Sequence, residues 1–119
     1  MKPVKYSKSD ANRIDLGTKV IYKYPAPDKL MDIGIMFVNG RHPEGENTFI
    51  LEHDCNFVMY ITKGNGIIYA GDESFEVVSG DVVYIPKENR FAVEGQFEYI
   101  TVDTPAFYPE QSETINFVG

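Results

Sequence analysis

The stretch from Gly80 to Arg90, G-D-V-V-Y-I-P-K-E-N-R, constrains the fold more than any other part of this chain. A glycine turn opens it, a short β-branched run follows, and a proline ends it, the signature of a short strand entered and left by tight turns. Its partner lies upstream, where the segment carrying His53 leads into F-V-M-Y-I-T-K-G-N-G. Together they read as two halves of a small β-barrel with an open mouth.

The rest of the chain repeats that rhythm. Short β-rich runs alternate with turn signals at intervals of about eight to twelve residues, as in a sandwich or barrel. Strands are expected at Thr18 to Tyr24, Met31 to Val38, Thr48 to Cys55, Phe57 to Thr62, Ile67 to Ala70, Phe75 to Val78, Val82 to Ile85, Arg90 to Val93 and Phe97 to Asp103. Gly64-Asn65-Gly66 reads as a turn tolerant of positive φ. Helical periodicity is confined to a turn around Ser9 to Arg13. The fold class is therefore all-β, an antiparallel double-sheet jelly roll. At 119 residues it is one domain. Residues 1–29 form an extension with a first edge strand, residues 30–111 the barrel, and residues 112–119 a tail. T-P-A-F-Y-P-E-Q, from Thr104, is expected to wrap the barrel's outside or a neighbouring subunit.

Charge and composition exclude several function classes. A net charge of −7, with Arg13, Arg41 and Arg90 scattered, argues against nucleic acid as a partner. No apolar run approaches the roughly 20 residues that cross a bilayer, and no apolar segment follows the N-terminal lysines, so neither membrane nor secretion is expected. The lone Cys55 cannot form an internal disulfide, which agrees with a cytoplasmic setting. Coverage of the edge strand Thr18 to Tyr24 points to a homodimer.

With the turns and motifs in place, the chain resembles the cupin superfamily of small jelly-roll barrels from about Met31 to Gln111. The family's first motif is G-x5-H-x-H-x3,4-E-x6-G. Counted from Gly45, it falls on Leu51, His53, Phe57 (or Val58) and Gly64. In the second motif, G-x5-P-x-G-x2-H-x3-N, Gly80 and Pro86 match, the next Gly position is Glu88 and the His position is Phe91. The ending T-P-A-F-Y-P-E-Q is similar to that of small single-domain bacterial cupins. The resemblance implies a metal held by three imidazoles and a carboxylate. Here His42 and His53 are the only histidines, so three imidazoles cannot be assembled from one chain. No metal or other cofactor is expected.

Strand alternation, run from Leu51, turns Leu51, His53, Cys55 and Phe57 toward the lumen and Glu52 and Asp54 outward. The expected ligand-binding set is Arg41, Leu51, His53, Cys55, Phe57, Tyr60, Tyr84, Arg90 and Phe91, with Arg41 and Arg90 at the rim. Its ligand is a small, partly apolar organic molecule, carboxylates included. Binding takes precedence over catalysis in this reading. The alternative is a cupin-type isomerase, epimerase or lyase acting on a sugar or keto acid, with His53 as its base, with or without a metal.

Overall fold

The computed structural model describes residues 2–117. They form nine strands: β1 (Asn12–Asp15), β2 (Lys19–Lys23), β3 (Asp32–His42), β4 (Thr48–Glu52), β5 (Asn56–Ala70), β6 (Glu73–Val78), β7 (Val82–Ile85), β8 (Arg90–Thr104) and β9 (Ser112–Asn116). Two single 3-10 turns, Lys8–Asp10 and Pro109–Gln111, are the only helical segments among the described residues. No helix is long and apolar enough to cross a membrane.

All strand pairings are antiparallel, and the path runs β1-β2-β3-β8-β4-β9. Strand β5 pairs along the other edge of β8 and also carries β6 and β7. The sheet thus curls around β8, the antiparallel barrel expected from the turn rhythm. Its core packs Met36, Val38, Phe57, Met59, Ile61, Ile68, Val77, Val83, Ile85, Phe91, Val93, Phe97 and Tyr99.

Expected strand pairs fuse in two places. Phe57 to Thr62 and Ile67 to Ala70 are one strand, β5, which runs through Gly64-Asn65-Gly66 with a register shift between Ile61 and Lys63. Arg90 to Val93 and Phe97 to Asp103 are likewise one strand, β8, running through Gly95. The glycines answer a close approach rather than a chain reversal. A Cβ at Gly66 would sit 2.5 Å from the Glu94 carbonyl oxygen.

The ends of the chain depart further from expectation. Strand β1 pairs with β2, so Thr18 to Tyr24 is an inner strand rather than an exposed edge. The edge on which dimerisation was argued is covered by the chain itself. Residues 112–116 are not a loose tail, since β9 pairs with β4 in register from Thr48↔Asn116 to Glu52↔Ser112. The Pro-bounded segment runs over the surface, with Phe107 and Tyr108 40% and 41% exposed, and is pinned at two points. The Phe107 N–H donates to Asp32 Oδ2 at 2.8 Å, and Gln111 is only 4% exposed.

Candidate active site

Strand β2 supplies an unusual inner face. Lys19, Ile21 and Lys23 alternate inward, opposite Val38, Met36 and Gly34 of β3. Those residues in turn pair with Phe97, Tyr99 and Thr101 of β8. Between these strands lies a cavity of about 220 Å3. Its apolar wall includes Ile50, Phe57, Phe91 and Phe107, and its polar groups are Lys19, Lys23, His42, Glu52, Tyr99, Thr101, Asp103 and Ser112.

At one end, Lys23 Nζ meets Asp103 Oδ2 at 2.7 Å and Asp32 Oδ1 at 2.8 Å. The aspartates are cross-strand partners, and Gly34, opposite Lys23, leaves room for the lysine stem; a Cβ there would lie 3.4 Å from Lys23 Cδ. Burial, with the hydrogen bond that protonated Asp103 donates to Asp32, pushes Asp103 up to about 7. Burial pulls the Lys23 ammonium down, but the two carboxylates outweigh it and hold its pKa above the ordinary lysine value.

At the other end stand Lys19, His42 and Glu52. Lys19 is 5% exposed, and its Nζ lies 5.7 Å from the Tyr99 ring centre and 6.0 Å from that of Phe91. The ion pairs among the described residues give it no carboxylate partner. His42 ends β3; burial first, then the charges of Lys19 and Arg41, lower its pKa to about 4, so the imidazole is neutral. Burial raises Glu52 above the usual carboxylate value. Gln111 holds it in place: its Oε1 accepts from the Asp54 N–H at 3.0 Å and the Cys55 N–H at 3.1 Å, while its Nε2 donates to Glu52 Oε2.

Of the residues expected to line the lumen, Phe57 and Phe91 do, with ring centres 4.7 Å apart. The others lie elsewhere. His53 is exposed, and its ring is bound by Glu88 at Nδ1 (3.2 Å) and Glu113 at Nε2 (2.8 Å). Leu51 sits on the face of β4 opposite Glu52. Cys55 is buried outside the cavity with its thiol toward the Pro105 carbonyl, and burial pushes its pKa to about 12. Tyr60 and Tyr84 point outward, 48% and 74% exposed. Arg41 is not a rim anion contact: its guanidinium donates to carbonyls of Pro43, Gly45, Glu46 and Thr48 and lies over Phe49. Arg90 meets Asp72 at 3.3 Å and lies over Phe49 and Phe117.

One misplaced parity explains most of the difference. Strand β4 ends at Glu52 and β5 begins at Asn56, so alternation restarts across residues 53–55. Glu52 faces in as the last residue of one strand, Phe57 as the second residue of the next. The sequence signal for this cavity was Lys19 and Lys23 on the same strand face as Ile21.

A cupin-type metal centre does not fit these residues. Only one imidazole, His42, reaches the cavity, and among the described residues no three His, Cys, Asp or Glu side chains converge as ligands.

Comparison with known proteins places the architecture. No family model matches the chain. An uncharacterised protein of Methanocaldococcus jannaschii is 34% identical over 53 residues, 44% of this chain. The matched stretch spans 42% of that protein's length. Among solved structures, Streptomyces Pac13, described as a nucleoside dehydratase, superposes with a TM-score of 0.86 at 18% identity, over 99% of this chain and 95% of that one. Variants of Pac13 have been solved with uridine. Ectoine synthase from P. lautus gives a TM-score of 0.71 at 12% identity, over 99% and 94% of the two chains. An RmlC-like cupin from Shewanella frigidimarina gives 0.70 at 13% identity, over 88% and 93%. The strand order, the curled sheet and these superpositions agree: this chain is a cupin-fold protein.

Proposed function

We propose that the protein is a metal-independent acid–base enzyme of the lyase or isomerase type, acting on a small hydroxylated carbonyl compound in the barrel lumen. The observation that carries this reading is the neutral imidazole of His42 lining the same apolar cavity as Glu52. A general base must be unprotonated where it works, and His42 is so above a pH of about 4. Glu52, shifted toward its protonated form by burial, is the matching acid. His42 takes a proton from the carbon beside the substrate carbonyl, and the C–H electron pair becomes the enolate. In an elimination, the enolate expels the β-hydroxyl as Glu52 protonates it, leaving a double bond and water. In an isomerisation, the proton returns to a neighbouring atom. The dehydratase activity attributed to Pac13, whose barrel superposes on nearly the whole chain, supports the elimination branch.

The test is solvent exchange at carbon. Hydroxy aldehydes, hydroxy ketones and keto acids are incubated with the protein in D2O, and loss of the α-proton signal is followed by NMR. Exchange or elimination is expected, abolished by His42→Asn and retained by His53→Ala. If no compound exchanges faster than in buffer, the lumen binds without catalysing, as the sequence reading first had it.

A further inference from the structure

Lys19 and Lys23 leave the same face of β2, yet their surroundings differ sharply. Lys23 is doubly neutralised by Asp32 and Asp103. Lys19 is only 5% exposed, and no carboxylate reaches ion-pair distance of it among the described residues. Lysines are almost never so buried without a partner, because an uncompensated ammonium in an apolar surround is costly. The faces of Phe91 and Tyr99 offset part of that cost. The other titratable groups facing the cavity are His42, Glu52, Lys23, Asp103 and Tyr99. Lys19's charge is felt at His42 and Glu52, but neither pairs with it.

We infer that the missing partner of Lys19 comes with the ligand, and that the substrate is a small monoanionic organic carboxylate whose carboxylate oxygen meets Lys19 Nζ. This rests on the acid–base reading of the cavity and narrows its substrate class. A phosphate group fits poorly. Phosphate sites gather several donors, and here both candidate arginines are engaged away from the cavity while Lys23 is already paired. A dianion would also face Glu52 and Asp103 in the same small volume. One ammonium beside aromatic walls suits one carboxylate on a partly apolar body. The carboxylate end docks at Lys19, which leaves the adjoining carbon in the part of the cavity lined by His42 and Glu52.

The probes are mandelate, which joins an aromatic ring to a hydroxy acid, and mandelamide, its uncharged counterpart, both measured by calorimetry. Mandelate is expected to bind at least about tenfold tighter than mandelamide, a gap that Lys19→Met closes and added salt narrows. Acetate, small enough to reach Lys19 regardless of the rest of the ligand, is expected to shift the His42 ring resonances saturably. Without any ligand, Lys19→Met is expected to melt higher than the wild type, because it removes an unpaired buried charge. Equal affinity for the two probes, a gap that survives Lys19→Met, no saturable acetate shift, or a lower melting temperature in Lys19→Met would each overturn the inference. Uridine bound more tightly than mandelate would also overturn the carboxylate class, while leaving acid–base chemistry standing. Normal mandelate binding with no α-proton exchange in any compound would instead sink the acid–base reading and leave the anion site intact.

Discussion

Gln111 determines which oxygen of Glu52 can carry a proton. Its Oε1 accepts two backbone N–H bonds, from Asp54 and Cys55, which can only donate. The amide orientation follows, and Nε2 must face Glu52 Oε2 as donor. When Glu52 is protonated, the proton therefore sits on Oε1. Replacing Gln111 by Leu strands two backbone N–H groups, at about 1–3 kcal/mol each, and is expected to show as a lower midpoint in urea. Gln111→Glu keeps the acceptor but sets two carboxyl groups together, which raises the pKa of the pair. The exchanged pair Glu52→Gln with Gln111→Glu restores one donor and one acceptor. It is expected to recover the stability lost in Gln111→Glu without recovering the proposed turnover, since the carboxyl group has left the cavity. Equal losses in the single and exchanged variants would refute the assigned amide orientation.

The Lys23 cluster makes a prediction of opposite character to Lys19. Removing Lys23 leaves Asp32 and Asp103 facing each other across the sheet. Lys23→Met is expected to destabilise by about 3–5 kcal/mol, the usual cost of breaking a buried pair. Asp103 also gives the cluster a pH signature. Its folded pKa, about 7, stands above the ordinary 3.8, so the folded state holds a proton that the unfolded chain has lost. Its contribution to stability is full below 3.8 and declines as pH rises toward 7. Asp103→Asn should remove that decline, and urea titrations at several pH values would show whether it does.

Cys55 offers a test of the barrel's closure. The thiol is wholly buried beside the Pro105 carbonyl, and its pKa is near 12. Only thiolate reacts appreciably. Labelling by a thiol reagent at pH 8 is expected to follow the unfolding rate and to become immediate in denaturant. Rapid labelling of the native protein would show that the segment carrying Pro105 opens on its own.

The barrel was legible because turn residues and strand periodicity act locally. Gly80, Pro86 and the run between them sit as the pattern requires. Long-range geometry was not legible. Nothing near Gly66 or Gly95 announces that β5 and β8 cross closely there, and nothing local pairs β9 with β4. The site failed on one interrupted strand, where a few residues of loop reversed the inward parity between Leu51 and Glu52. Lys19 and Lys23 went unread because lysine is ordinarily a surface residue. Only the carboxylates of β3 and β8, distant in sequence, show why Lys23 is inside.

The two histidines should titrate in opposite directions, and this separates the proposed base, His42, from His53. His42 has its pKa lowered to about 4, chiefly by burial, whereas the hydrogen bonds that the His53 ring donates to Glu113 and Glu88 raise the His53 value above 6.5. Between pH 6.5 and 4 the unfolded chain binds a proton at the His42 position that the folded protein refuses. His42 therefore costs stability as pH falls through that window. His53 does the reverse: its contribution is complete below 6.5 and disappears as pH rises through its raised value. Ring-proton NMR is expected to show His53 titrating above 6.5 while His42 stays neutral down to near 4. With exposed partners, His53→Ala should leave turnover and binding unchanged. Its acid limb should follow His42, with no fall in activity at pH 6.5. A limb centred there, or a loss in His53→Ala, would move the base to the outer surface and overturn the assignment of His42.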